Sequence, residues 1–78
     1  MQSKKEGDYF FFEGNTGVII GHISKVEKRD DKIAYHFRLL KNTTKYYENV
    51  YESMFMKESV MDKYSRVVSQ RHAVLLSL

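Results

Sequence analysis

The residues with the widest chemical range are three histidines, His22, His36 and His72, and a basic and aromatic group. That group comprises Lys25, Lys28, Arg29, Lys32, Arg38, Lys41, Lys45, Tyr46 and Tyr47. Zinc sites need three or four ligands at recognisable spacing, and the chain has no H-x-x-x-H, no H-E-x-x-H and no cysteine. His22 and His36 are therefore read as sheet residues satisfied by polar neighbours. No serine lies in a G-x-S-x-G elbow, and no Gly-rich loop leads into Lys-Ser or Lys-Thr. Asp30-Asp31 are adjacent carboxylates, but they belong to a turn, where Asp is favoured for its backbone chemistry. Gly14-Asn15-Thr16-Gly17 matches the G-x-x-G string of an RNA-binding loop, yet its flanks are strand-like and it holds no basic residue. No catalytic residue, metal or cofactor is expected.

Cations interleaved with aromatics are what single-stranded nucleic acid requires, a stacking platform beside phosphate neutralisation. Tyrosine and arginine are equally enriched at protein interfaces. The preferred expectation is a small non-enzymatic interaction protein that binds a host protein or protein complex and modulates it. The alternative is a nucleic-acid-binding small β-barrel that uses the basic-aromatic hairpin. A phage or mobile-element origin is inferred from composition. Phe, Tyr, Met, Ile, Asn and Lys supply 31 residues against 10 of Gly, Ala, Arg and Pro, the tilt that AT-rich codons produce.

The elements that must hold these residues are few. A chain of 78 residues has room for one domain, and with no cysteine its core works without disulfides. The net charge of +3 is carried by residues 1–45 (nine basic, six acidic), a bias compatible with anionic partners but well short of a dense basic stripe. No apolar signal region or membrane-length run is present, so a cytoplasmic location is expected, the host cytoplasm for a phage protein.

Residues 1–7 are polar and expected to fray, leaving 8–78 as the single domain, with its sheet over 8–52. Asp8 to Glu13 reads as a short strand and Gly14 to Gly17 as a turn. Val18 to Lys28 and Lys32 to Lys41 read as an antiparallel hairpin around Arg29-Asp30-Asp31. In its second strand Ile33, Tyr35, Phe37 and Leu39 share one face and Ala34, His36, Arg38 and Leu40 the other. The first strand is too long for so small a globule and is expected to bend at Gly21. Tyr46 to Tyr51 fits either a fourth strand or a helical turn. Spacing from Ser59 onward predicts a helix over about 59–77. Its stripe includes Val67, Val74, Leu75 and Leu78, which could dock on the sheet or form a homodimer.

The fold class expected is thus α+β, mostly β: a curled antiparallel sheet of three to four strands with a C-terminal helix packed on it. The layout of residues 8–52 resembles a small SH3-like barrel, and Gly21 to Asn42, closing in Leu39-Leu40-Lys41-Asn42, is similar to the Sm-like variant. The chain lacks that variant's characteristic Asp and Gly placements and its N-terminal helix. The resemblance therefore implies an architecture and no functional residue.

Overall fold

The computed structural model describes residues 5–78. Its elements are β1 (Tyr9–Gly14), β2 (Gly17–Arg29), β3 (Lys32–Asn42), β4 (Tyr51–Lys57), α1 (Glu58–Tyr64), β5 (Ser65–Val68) and α2 (Gln70–Leu76). One antiparallel sheet runs in the order β4-β3-β2-β1-β5. The fold is mixed α+β, with five strands and two C-terminal helices. No ladder joins β4 to β5, so the sheet is not closed into a barrel.

The expected count of three to four strands is too low, and the single helix over 59–77 is really helix, strand, helix. The reason lies in β1, whose outer edge is unpaired until Ser65–Val68 reaches it. Tyr9 then pairs with Val68 and Phe10 with Val67. The β-branched pair Val67-Val68 suits that pleated edge, and the ladder outweighs a helical periodicity that was only approximate. Val67 is thereby taken out of the expected helical stripe and half-buried beside Phe10. The fourth strand starts at Tyr51 instead of Tyr46. Residues 43–50 form a loop in which Asn42 Oδ1 accepts from the Thr44 N–H at 2.8 Å. Glu52 Oε2 accepts from the N–H groups of Glu48 and Asn49 at 3.1 and 2.8 Å. Of the segment expected to fray, residues 1–4 lie outside the described residues. Gly7, by contrast, donates its N–H to the Ile23 carbonyl at 2.9 Å.

The hairpin forms as expected, and Asp30 at its tip takes φ 57°, a left-handed conformation Asp tolerates. Thirteen extended residues of β2 would run about 43 Å, whereas the molecule is 35 Å along its longest axis. Two bulges absorb the difference. Between Ile20 and Gly21 the extra residue is Leu40 on β3, and between Ile23 and Lys25 it is Ser24 on β2. Gly21 is also required for space. A Cβ there would lie 2.6 Å from Phe37 Cδ2 and 2.7 Å from Phe10 Cε1, so two core rings pack directly on the backbone at the bend. Those rings meet edge to face at 5.0 Å.

The inner face of the curl carries the main core: Phe10, Ile19, Ile23, Ile33, Tyr35, Phe37 and Met54, with Met61 of α1. Each such side chain contributes about 1.5–3 kcal/mol on burial. Helix α1 touches β4 on one side and β1 and β5 on the other, lying between the two strands that do not pair. Helix α2 covers only one end of the outer face, where Ala73 and Leu76 pack over Ile20, Val68, Tyr9, Phe11, Val18 and Leu40. The other end of that face has no such cover among the described residues.

Candidate binding face

Strand register builds the uncovered face residue by residue. Directly paired residues in an antiparallel sheet share a face. The pairings of β2 with β3 and of β3 with β4 therefore define cross-strand rows. The row nearest the hairpin tip is Arg29–Lys32–Lys57, and the next is Glu27–Ala34–Phe55. Lys25–His36–Ser53 follows, and then His22–Arg38–Tyr51. Successive rows are about 6.7 Å apart, two residues of strand rise. The Ser24 bulge keeps Lys25, Glu27 and Arg29 on this face; without it their side chains would turn to the inside.

The face concentrates charge and aromatic surface together. Five cations, Lys25, Arg29, Lys32, Arg38 and Lys57, share it with one carboxylate, Glu27. Phe55 is 59% exposed and Tyr51 69% exposed, both unusually open for large rings within a strand. Lys32 Nζ stands 5.6 Å from the centre of the Phe55 ring. A shallow hollow of about 260 Å³ opens here, lined by Glu27, Lys28, Arg29, Ala34, His36 and Phe55. Like charges placed directly opposite on neighbouring strands repel, so Arg29–Lys32–Lys57 is an unfavourable row in the free protein. Among the described residues these three make no ion pair.

A hydrogen-bonded chain crosses the middle of the face. His36 Nδ1 lies 2.8 Å from Ser53 Oγ, and His36 Nε2 lies 3.0 Å from Glu27 Oε1. A carboxylate only accepts, so Nε2 carries the proton given to Glu27. In the neutral ring Nδ1 then accepts from the Ser53 hydroxyl. Lys25 Nζ stands 3.4 Å from the same Glu27 oxygen. That cation, followed by the hydrogen bond from His36, holds the Glu27 carboxyl below the usual carboxylate range.

The residues expected from sequence to bind fall into three groups. Lys25, Arg29, Lys32 and Arg38 come together on the open face. Lys45 and Tyr46 are exposed on the 43–50 loop, apart from the cation row. The other three are engaged in structure. Lys28 pairs with Glu58 of α1 at 3.0 Å, and Lys41 Nζ donates to the Leu76 carbonyl at 3.2 Å, capping the end of α2. Tyr47 packs on Phe37 with ring centres 6.1 Å apart, and burial, then the Glu52 charge, pushes its hydroxyl pKa up.

Tyr51, Ser53, Phe55, Lys57 and the His36–Glu27 pair were not among the expected binding residues. Their signal was available in Tyr51-Glu52-Ser53-Met54-Phe55-Met56-Lys57, where a period of two separates an outer set from Glu52, Met54 and Met56. His22 stacks on Tyr9 at 4.2 Å. Among the described residues no three His, Cys, Asp or Glu side chains gather as a metal site, and no helix is long and apolar enough to cross a membrane. Of the residues expected to self-associate, Val74, Leu75 and Leu78 are exposed on and after α2. Comparison with protein-family models, with curated proteins and with solved structures finds no match for this chain.

Proposed function

We propose that the protein is a binding module for single-stranded nucleic acid, which lies along the outer face of β2, β3 and β4. The observation that carries this reading is the row Arg29–Lys32–Lys57 immediately beside the exposed ring of Phe55. A phosphate seated on the row relieves the repulsion among three like charges, and a base stacked on Phe55 covers its apolar surface. Arg38 and Tyr51 repeat the pairing of cation and ring two rows from Phe55, about 13 Å along β4. Duplex DNA would not offer the exposed base faces these rings can use.

The test is binding of a fluorescent single-stranded oligonucleotide, read by anisotropy between about 50 and 200 mM salt. With four phosphates neutralised, the logarithm of the binding constant should fall with a slope near about −3 against the logarithm of salt. The double variant K32A/K57A should lower that slope by about 1.4. Absence of binding, or a salt-insensitive complex, sinks the reading. A partner that the protein captures after nuclease treatment and that competes for Phe55 would return the face to the protein-binding class.

A further inference from the structure

We propose that Ser53 is a nucleophile activated by His36, able to take an acyl group from an activated carboxylic ester. This inference stands on the hydrogen-bonded chain across the face and is independent of nucleic-acid binding. The sequence contains no nucleophile motif because the three residues come from three strands, and only the sheet register brings them together.

The geometry is that of a nucleophile, a base and an orienting carboxylate in series. Ser53 Oγ lies 2.8 Å from His36 Nδ1, within reach for proton transfer, and His36 Nε2 lies 3.0 Å from Glu27 Oε1. Glu27 fixes the ring so that the Nδ1 lone pair faces the serine, which makes it a positioning residue. Cross-strand contacts hold the ring's strand as well: Ser24 Oγ donates to the His36 carbonyl at 3.0 Å.

Access and oxyanion stabilisation follow from the edge position of β4. The Leu39 N–H donates to the Val50 carbonyl at 2.7 Å, so residues 39 and 50 form a hydrogen-bonded pair. Alternation along the ladder then makes His36–Ser53 a non-hydrogen-bonded pair. The Ser53 N–H accordingly points away from β3, toward the unpaired side of the sheet's edge strand. The nucleophile's own amide is therefore available to an oxyanion formed on Oγ, and the serine side chain is exposed.

The reaction balances without any co-reactant. Ser53 Oγ attacks the ester carbonyl as its proton passes to His36 Nδ1, and the carbonyl oxygen becomes an oxyanion against the Ser53 N–H. The tetrahedral adduct collapses, the carbon–oxygen bond to the leaving group breaks, and the proton on His36 goes to the departing oxygen. Ser53 remains acylated. Water can later release the acid by the same path, with His36 again taking the proton. One oxyanion donor and a water-exposed base limit the substrate to esters with good leaving groups. A positioned general base contributes about 10²- to 10⁴-fold, while one missing oxyanion donor costs about 10²- to 10³-fold. Amides are outside this range.

The experiment is incubation of the full chain with p-nitrophenyl acetate, followed by peptide mass mapping and by the kinetics of p-nitrophenolate release. The expected result is a single acetyl group on Ser53, absent in Ser53→Ala and retained in Ser59→Ala. His36→Gln should slow acylation at least 10-fold. Glu27→Gln should lower the limiting rate while leaving the half-saturating ester concentration unchanged, a split that a general loss of structure would not produce. Circular dichroism and melting curves matching the parent show that each variant is folded. Acetylation confined to lysines, or equal release by the parent and by Ser53→Ala, overturns the proposal. So does a folded His36→Gln variant that acylates Ser53 at the parental rate.

Discussion

The two ends of the sheet's outer face share β2 and β3, yet α2 closes the end toward β1 and β5 and leaves the end toward β4 open. At the closed end Ile20 and Val68 are buried under Ala73 and Leu76, Lys41 is consumed in capping the helix, and Arg66 lies over the Phe11 ring at 4.5 Å. At the open end Phe55 and Tyr51 keep most of their surface in water beside a row of three cations that make no ion pair among the described residues. The chain has apolar side chains to spare, since Val74 and Leu75 of α2 are themselves exposed. The open end is therefore not explained by a shortage of covering residues. Its apolar area is interrupted by charge in every row, a composition suited to a wet, anionic ligand more than to a docked helix.

The sharpest test of that difference compares one substitution at each end. Ile20→Ala removes a fully buried side chain beneath α2 and should cost about 2–5 kcal/mol in denaturant unfolding. Phe55→Ala should leave stability within about 0.5 kcal/mol, as surface changes do. Equal losses at the two sites would show that Phe55 belongs to the core and would break the distinction.

The next effect concerns the inner side of the open end, where dryness should match that under α2. Tyr35 sits one residue before His36 but faces inward at 1% exposure. Burial, then the charges of Asp62, Glu58 and Asp8, push its hydroxyl up to about 12 from 10.0. Between those values the unfolded chain loses the proton while the folded chain keeps it. The folded state then binds more protons, so stability must fall as pH rises above about 10 and level off beyond about 12. The loss should approach about 2–3 kcal/mol. Denaturation midpoints at neutral pH and at about pH 11.5 measure it, and Tyr35→Phe should abolish that part of the alkaline loss. An unchanged alkaline slope in the variant would place water inside the curl.

How much of this was legible follows from where each element gets its instructions. The β2–β3 hairpin carries its own: clean alternation in Ile33–Leu39, an Asp-rich tip and a strand too long to stay straight. Lys25, Arg29, Lys32 and Arg38 could be placed because they ride on it. Strand β5 has only four residues, and its pairing is imposed by the vacant edge of β1, a partner some 55 positions away. A helix was the better local reading there. The outer set of β4 escaped for a similar reason. The tyrosines at 46 and 47 drew the expected strand five residues early, and nothing local reveals that Phe55 pairs with Ala34. Ser53, His36 and Glu27 are legible only through two registers at once.

Binding gives a third, smaller contrast. Phe55→Ala should weaken oligonucleotide binding by about 1–3 kcal/mol, the loss of one stacking platform. Because the cations remain, its salt slope should match the parent's, whereas K32A/K57A should change the slope. If both variants alter affinity and slope alike, ring and cations do not act as separate elements, and the row model of the face fails.

The smallest effect tests whether the closed end stays closed by capping as well as by packing. Ser69 is the N-cap of α2, and its Oγ accepts from the His72 N–H at 3.1 Å. The helix has seven residues and no acidic side chain in its first turn, so little else favours its start. Ser69→Ala should cost about 1 kcal/mol. The loss should appear locally, as faster amide exchange in α2 while β2 and β3 keep their protection. If instead the whole sheet exchanges faster in step with α2, the helix is an integral part of the cooperative core. The two ends of the outer face would then differ in what they expose but not in how they unfold.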